Sequence, residues 1–249
     1  RLDAHWAANK LSNLFNRHAG TAQNQPRQYF RDVLTEFKDT FEKASGKKID
    51  DIPREKHPIA AFVWMHYDHN NSTLITAGLC DCMVFAQLDN GKIVSNTPTT
   101  SPSFEKERDK KWAEEKGSKK LDQDPDIVIA RLIDARRLKN NFSKGGRAVL
   151  GPEPDAADHI KIEEFDLGNA KLESALISSD GLFRLVDTFE HFTSKELLRA
   201  VQNNSLDYLV KKVLRPMELD NIKQAEDPNS DAVAIVKGHD DAGALVVKF

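Results

Sequence analysis

Two stretches near the start of the chain place apolar residues at helical intervals. Trp6, Leu11, Leu14 and Phe15 share one face of a first helix, with Asp3 standing where an N-cap would stand. After a polar loop at 20–26, Tyr29, Phe30, Val33, Leu34, Phe37 and Phe41 make a second amphipathic stripe that stops near Ser45 and Gly46. These aromatics read as core, not as a cofactor site. Beyond a charged turn at 47–56 the period changes. Residues 58–65, 72–79 and 82–88 read as strands, and Asn90-Gly91 turns the third into a fourth at 92–94. The expectation for 58–94 is an antiparallel meander.

Helical segments follow. A charged helix is expected at 103–116, with its charges on a solvated face, and an amphipathic one at 126–139 with a basic C-terminal end. The glycine-rich 142–148 lacks the strand, glycine loop, lysine and helix order of a P-loop, and reads as a turn. Residues 159–165 alternate like an edge strand. An apolar strand then runs through Ala175, Leu176 and Ile177 into Ser178-Ser179-Asp180-Gly181, and a helix restarts at 182–186. Thr193 and Glu196 have capping-box spacing at the head of another helix, and 206–219 predicts one more. An acidic loop leads to Asp231 at the start of a strand at 232–237, and 244–247 is the last strand. Strands segregated from helices predict an α+β fold within a single domain, 1–249.

Composition narrows the class. The 249 residues are 39% hydrophobic and 30% charged, with a formal net charge of -3. Such a chain buries a sizeable core unaided. Charges of both signs are interspersed, so no basic nucleic-acid surface is expected. No apolar run approaches the roughly 20 residues of a membrane span, and no signal peptide is visible. The two cysteines, Cys80 and Cys82, lie close together on one expected strand and are not expected to pair. A reduced, cytoplasmic setting follows.

Two places carry candidate chemistry. Asp180, at the end of a buried strand, is placed either to bind a hard divalent cation or to N-cap the helix that follows. His66, Asp68 and His69 have the residue types of a metal cluster, but Asn70-Asn71 is turn chemistry and no third ligand follows at the right spacing. Residues 66–71 are therefore expected to be a polar hairpin loop.

The run Ile177-Ser178-Ser179-Asp180-Gly181-Leu182-Phe183-Arg184-Leu185-Val186 resembles the serine-aspartate-glycine motif of the metal-dependent, type 2C protein phosphatases. Asn229-Ser230-Asp231-Ala232-Val233-Ala234-Ile235 is similar to the closing aspartate motif of that family, and the arginine and leucine after Gly181 resemble its bacterial branch. Leu79-Cys80-Asp81-Cys82-Met83-Val84 stands where the family carries a glycine-aspartate-serine motif, altered on both sides of Asp81. The resemblance implies a four-layer α-β-β-α sandwich with two antiparallel β-sheets. It also implies two Mn²⁺ or Mg²⁺ ions, with Asp180 and Asp231 as ligands. A metal-bridging water would then hydrolyse phosphoserine or phosphothreonine in a phosphorylated protein substrate. Three departures stand beside it. The family's first aspartate-glycine motif and its phosphate-gripping arginine are expected upstream of Arg1, since Asp3-Ala4 lacks the glycine. Residues 97–102 carry no acid for a third metal. The alternative is therefore a catalytically inactive binding module with the same sandwich.

Overall fold

A computed structural model of the chain describes residues 4–22, 25–96, 148–187, 190–204 and 244–249, together with positions 129, 133, 134, 136, 137, 139, 140, 208 and 211. The fold is α+β, with helices and two antiparallel sheets of three and four strands. The chain divides into two compact units, one of Arg1–Cys80 with Ile129–Gly168, the other of Asp81–Val128 with Asn169–Phe249.

The first unit opens with helices α1 (Ala4–His18) and α2 (Pro26–Ser45). Pro26 occupies the first helical turn of α2, where its missing N–H costs nothing. Gly46 ends the helix in the left-handed region at φ 68°, and its N–H donates to the Glu42 carbonyl at 2.9 Å. The aromatic stripe read from the sequence is the core. Tyr29, Phe30, Val33, Leu34 and Phe37 are buried and pack with Leu11 and Leu14 of α1.

Opposite the helices lies the sheet of β1 (Phe62–Asp68), β2 (Thr73–Leu79) and β5 (Lys161–Asp166), in the order β1-β2-β5. Its register aligns Trp64 with Ala77 and Ala77 with Ile162, a row facing the helices. Phe15 stacks on Phe62 at 5.3 Å between ring centroids, and Phe30 meets Trp64 edge-on at 5.5 Å. The Tyr29 hydroxyl donates to the Phe15 carbonyl at 3.0 Å, and burial pushes this phenol up to about 12. Arg27 fixes α2 to the short 3-10 helix at Pro154–His159 by donating to the carbonyls of Ala157, Asp158 and Ile160.

The second unit holds β3 (Met83–Leu88), β4 (Ile93–Ser95), β6 (Leu172–Ser178) and β7 (Ala244–Lys248), in the order β4-β3-β6-β7. Helices α3 (Asp180–Asp187) and α4 (Ser194–Asn203) cover one face. Phe85, Leu176 and Val246 form a cross-strand row under Leu182, Leu185, Leu197 and Leu198. The capping box is present: Thr193 and Glu196 satisfy each other's backbone N–H groups at the head of α4. Gln202 donates to Ser174 at 2.9 Å, a polar tie between α4 and β6.

Two expectations need correction. The first strand is Phe62–Asp68, not 58–65, because Ala60 makes only an isolated bridge to Leu150, while His66, Tyr67 and Asp68 complete the ladder with Ile75, Leu74 and Thr73. Backbone pairing at an edge strand is indifferent to the polarity that made these residues read as loop. Residues 58–94 are also not one meander. β2 is flanked by β1 and β5, and β3 by β4 and β6, so the two consecutive strands do not pair. Cys80 and Cys82 lie in the connection between them, outside any strand and not joined by a disulfide.

Within 126–139, the described positions 129, 133, 134, 136 and 137 are helical, as are Tyr208 and Lys211 within 206–219. The expectations at 103–116, 142–147 and 232–237 lie outside the described residues. Among the described residues no helix is long and apolar enough to cross a membrane.

Phe30→Ala is expected to destabilise the chain by roughly 3–5 kcal/mol, the range for emptying a fully buried aromatic site, as read from denaturant unfolding. Thr193→Ala, which removes the capping hydroxyl of α4, is expected to cost about 1 kcal/mol in the same measurement.

Candidate functional site

The end of the four-stranded sheet is where the sequence pointed, and its construction follows from register. Met83, the first residue of β3, lies opposite Ser178, the last residue of β6, and Ser178 lies opposite Ala244, the first residue of β7. Residues just before β3 and just after β6 therefore leave the sheet at one end, the end at which β7 begins. Asp81 stands two residues before Met83, and Asp180 stands two residues after Ser178. The register thus brings the altered motif around Asp81 to the same sheet end as the serine-aspartate-glycine motif, although about a hundred residues separate them in sequence.

The backbone there is held by local hydrogen bonds. Asn96, buried just past β4, accepts from the Val84 N–H at 2.6 Å and donates to the Cys82 carbonyl at 3.1 Å. Its side chain thereby prolongs the β3–β4 ladder and fixes the course of the chain immediately after Asp81. The sequence reading missed Asn96; its signal is an Asx residue directly after a short strand and before Pro98. Cys80, on the other side of Asp81, adopts φ 67°, a left-handed conformation uncommon outside glycine, and its thiol donates to the Ala148 carbonyl at 3.4 Å.

On β6, Ser178 is buried and its hydroxyl donates to the Ser179 carbonyl at 3.1 Å. That carbonyl also accepts from the Phe183 N–H at 3.2 Å, the first bond of α3. Ser179 therefore occupies the N-cap position and Asp180 the first helical position. The N-cap alternative for Asp180 falls one residue off. An acid in the first turn still profits from the positive end of the helix dipole. The side chain of Asp180 and all of Asp231 lie outside the described residues. Among the described residues, no group of three or more His, Cys, Asp and Glu is arranged to hold a metal ion.

The histidine-rich segment has a structural explanation. The Asp68 carboxylate accepts from the N–H groups of Asn70 and Asn71, at 2.9 and 3.4 Å, and from the Asn71 side-chain amide at 2.7 Å. This is an Asx-type turn closing the β1–β2 hairpin, as the Asn-Asn pair suggested, though His66 and Asp68 belong to the strand and only His69 to the turn. His66 stacks on Trp64 with centroids 5.8 Å apart.

Compared with known proteins, the chain matches no model of a protein family. No curated protein matches it.

The Asn71 amide, followed by the backbone N–H groups, holds the Asp68 carboxyl below its ordinary 3.8. The stabilisation it supplies is present above that value and disappears as pH falls through the folded one. Asp68→Asn is expected to lower the melting temperature at neutral pH, with the gap to the parent closing as the melts are repeated below pH 3.8.

Proposed function

We propose that the chain is a metal-dependent phosphatase domain that hydrolyses phosphoserine and phosphothreonine in phosphorylated proteins. Asp180 and Asp231 are the metal ligands in this reading, with Mn²⁺ or Mg²⁺ as the ion. The observation that carries it is the register of the four-stranded sheet, which draws the Asp81 and Asp180 motifs to one end of the sheet. The donor chemistry fits a hard cation: carboxylates and backbone carbonyls, with no soft or imidazole ligand required. When bound, the ion supplies a water of lowered pKa as the nucleophile. The chain's own residues do the positioning. Asn96 fixes the strand that follows Asp81, and the Ser179 carbonyl starts the helix that carries Asp180.

The four-layer α-β-β-α stacking belongs to the same proposal. It is supported by the second face of the four-stranded sheet, where Val84, Ala86 and Ala175 are apolar and fully buried. A cytoplasmic setting is part of the reading as well, supported by two cysteines that are not joined by a disulfide.

The test is phosphate release from a phosphothreonine peptide and from an aryl phosphate by the full-length protein, with Mn²⁺ and with chelator. Release is expected only with the metal, and the Asp180→Ala, Asp231→Ala double variant is expected to fall to background. Asp81→Asn is expected to weaken activation by Mn²⁺ about 10–100-fold, the range for groups that support metal ligands. Activity that survives the double variant would overturn the assignment of the ligands. No metal-dependent release at all would leave the inactive binding module as the correct reading.

A further inference from the structure

A second polar cluster lies in the first unit, remote in sequence from both aspartate motifs. His57 is almost wholly buried, its side chain 3% exposed. Its Nδ1 lies 2.6 Å from Glu153 Oε1 and its Nε2 lies 3.0 Å from the Ile52 carbonyl oxygen. A backbone carbonyl can only accept, so Nε2 carries a proton. An ionised carboxylate can also only accept, so Nδ1 carries one too. With Glu153 ionised, only the imidazolium satisfies both partners at once.

The pair is the centre of a larger tie. Asn140 donates from Nδ2 to Glu153 Oε2 at 2.9 Å and accepts from the Val149 N–H at 2.8 Å. Asn140 holds this pose at φ 54°, a left-handed conformation that asparagine tolerates better than most side chains. Arg136 donates to the carbonyls of His57 and Glu55, both at 2.9 Å, and Arg54 donates to the Asn140 carbonyl at 3.0 Å. Gly151 makes room for the arrangement: a Cβ there would sit 2.9 Å from Glu153 Oε2 and 3.3 Å from Asn140 Nδ2.

The charged groups around His57 come from three segments. Glu153 faces the ring directly. Arg54 lies 3.8 Å from Glu153 Oε1, and Glu55 of the same segment pairs with Arg137 at 3.2 Å. Arg136 reaches the His57 carbonyl from the helical positions near 136. From α2 the neighbour is the uncharged Phe41 ring, at 6.1 Å between centroids.

We propose that the His57–Glu153 ion pair is a proton-controlled latch. While His57 is an imidazolium, it holds Arg136, Asn140 and the 148–153 segment onto the 52–57 segment; when it loses its proton, the latch opens. A neutral ring would direct a lone pair at either the Glu153 carboxylate or the Ile52 carbonyl, and both contacts are repulsive in a buried site.

Burial pulls the His57 imidazole down, but the hydrogen bond and charge of Glu153, helped by backbone carbonyls, outweigh it and raise it above its ordinary 6.5. The folded chain therefore keeps this proton at a pH where the unfolded chain has lost it. The contribution to stability is full below 6.5 and is lost as pH rises through the folded value.

The experiment is a pH titration of the full chain by long-range ¹H–¹⁵N imidazole spectra, with amide hydrogen exchange at Val149 and Ala60 read alongside. The expected result is a His57 that stays doubly protonated at its ordinary midpoint of 6.5 and titrates above it. Exchange protection at Val149 and at Ala60, which bonds to Leu150, is expected to fall once the histidine titrates. In Glu153→Gln the midpoint is expected to drop by at least about one pH unit, since burial then acts without the carboxylate. A His57 that titrates at or below its ordinary 6.5, leaving its one proton on Nε2, would overturn the proposal. So would coincident titration and exchange profiles for parent and variant. If Glu153→Gln does not fold, the protonation state of the parent decides alone.

Discussion

The structure depends on a strand-pairing constraint at the connection between β2 and β3. Only Cys80, Asp81 and Cys82 separate Leu79 from Met83. A hairpin there would be the cheapest pairing in loop-closure terms. It does not form, because each strand already has both edges filled: β2 by β1 and β5, β3 by β4 and β6. Half of those partners, β5 and β6, come from beyond residue 160. The sheets therefore assemble only when distant parts of the chain meet, a slow route compared with a local meander. Cys80 bears the local cost as a non-glycine residue at φ 67°.

That same break is what creates the candidate site. Had β2 and β3 paired as a meander, Asp81 would close a hairpin between them. Instead it precedes the first residue of β3, at the sheet end where β6 also terminates. The chemistry proposed for Asp180 and Asp231 rests on motifs in the sequence, and the link to Asp81 on backbone register. Asn96 and the Ser179 carbonyl serve the site without taking part in any chemistry.

The two units use different kinds of tie. Aromatic rings dominate the first, where α2 lays Tyr29 and Phe30 onto β1 while Phe37 meets Trp6 of α1. Its polar ties between distant segments include Arg27 and the His57–Glu153 pair, each joining segments about a hundred residues or more apart. The second unit is built on leucines from α3 and α4 over Phe85 and Leu176, with one Gln202–Ser174 tie. A buried ion pair is costly to desolvate, so its value lies less in net stability than in fixing which segments meet.

Elements whose cause is local were legible in the residues alone. Both N-terminal helices, the Asn90-Gly91 turn, the Thr193–Glu196 capping box, β5 as an edge strand and β7 as the last strand all follow from periodicity, turn chemistry and caps within a few residues. The candidate ligands Asp180 and Asp231 rest on sequence motifs alone. What depends on partners far along the chain emerged with the folded structure. It assigned β2 and β3 to different sheets, kept His66 and Asp68 in a strand, and moved the N-cap from Asp180 to Ser179. It also paired His57 with Glu153 across most of the first unit. The reason is physical: side-chain pattern fixes which face of an element is apolar, but hydrogen-bonding edges are alike from strand to strand, and a buried polar group is read only through the partner that satisfies it.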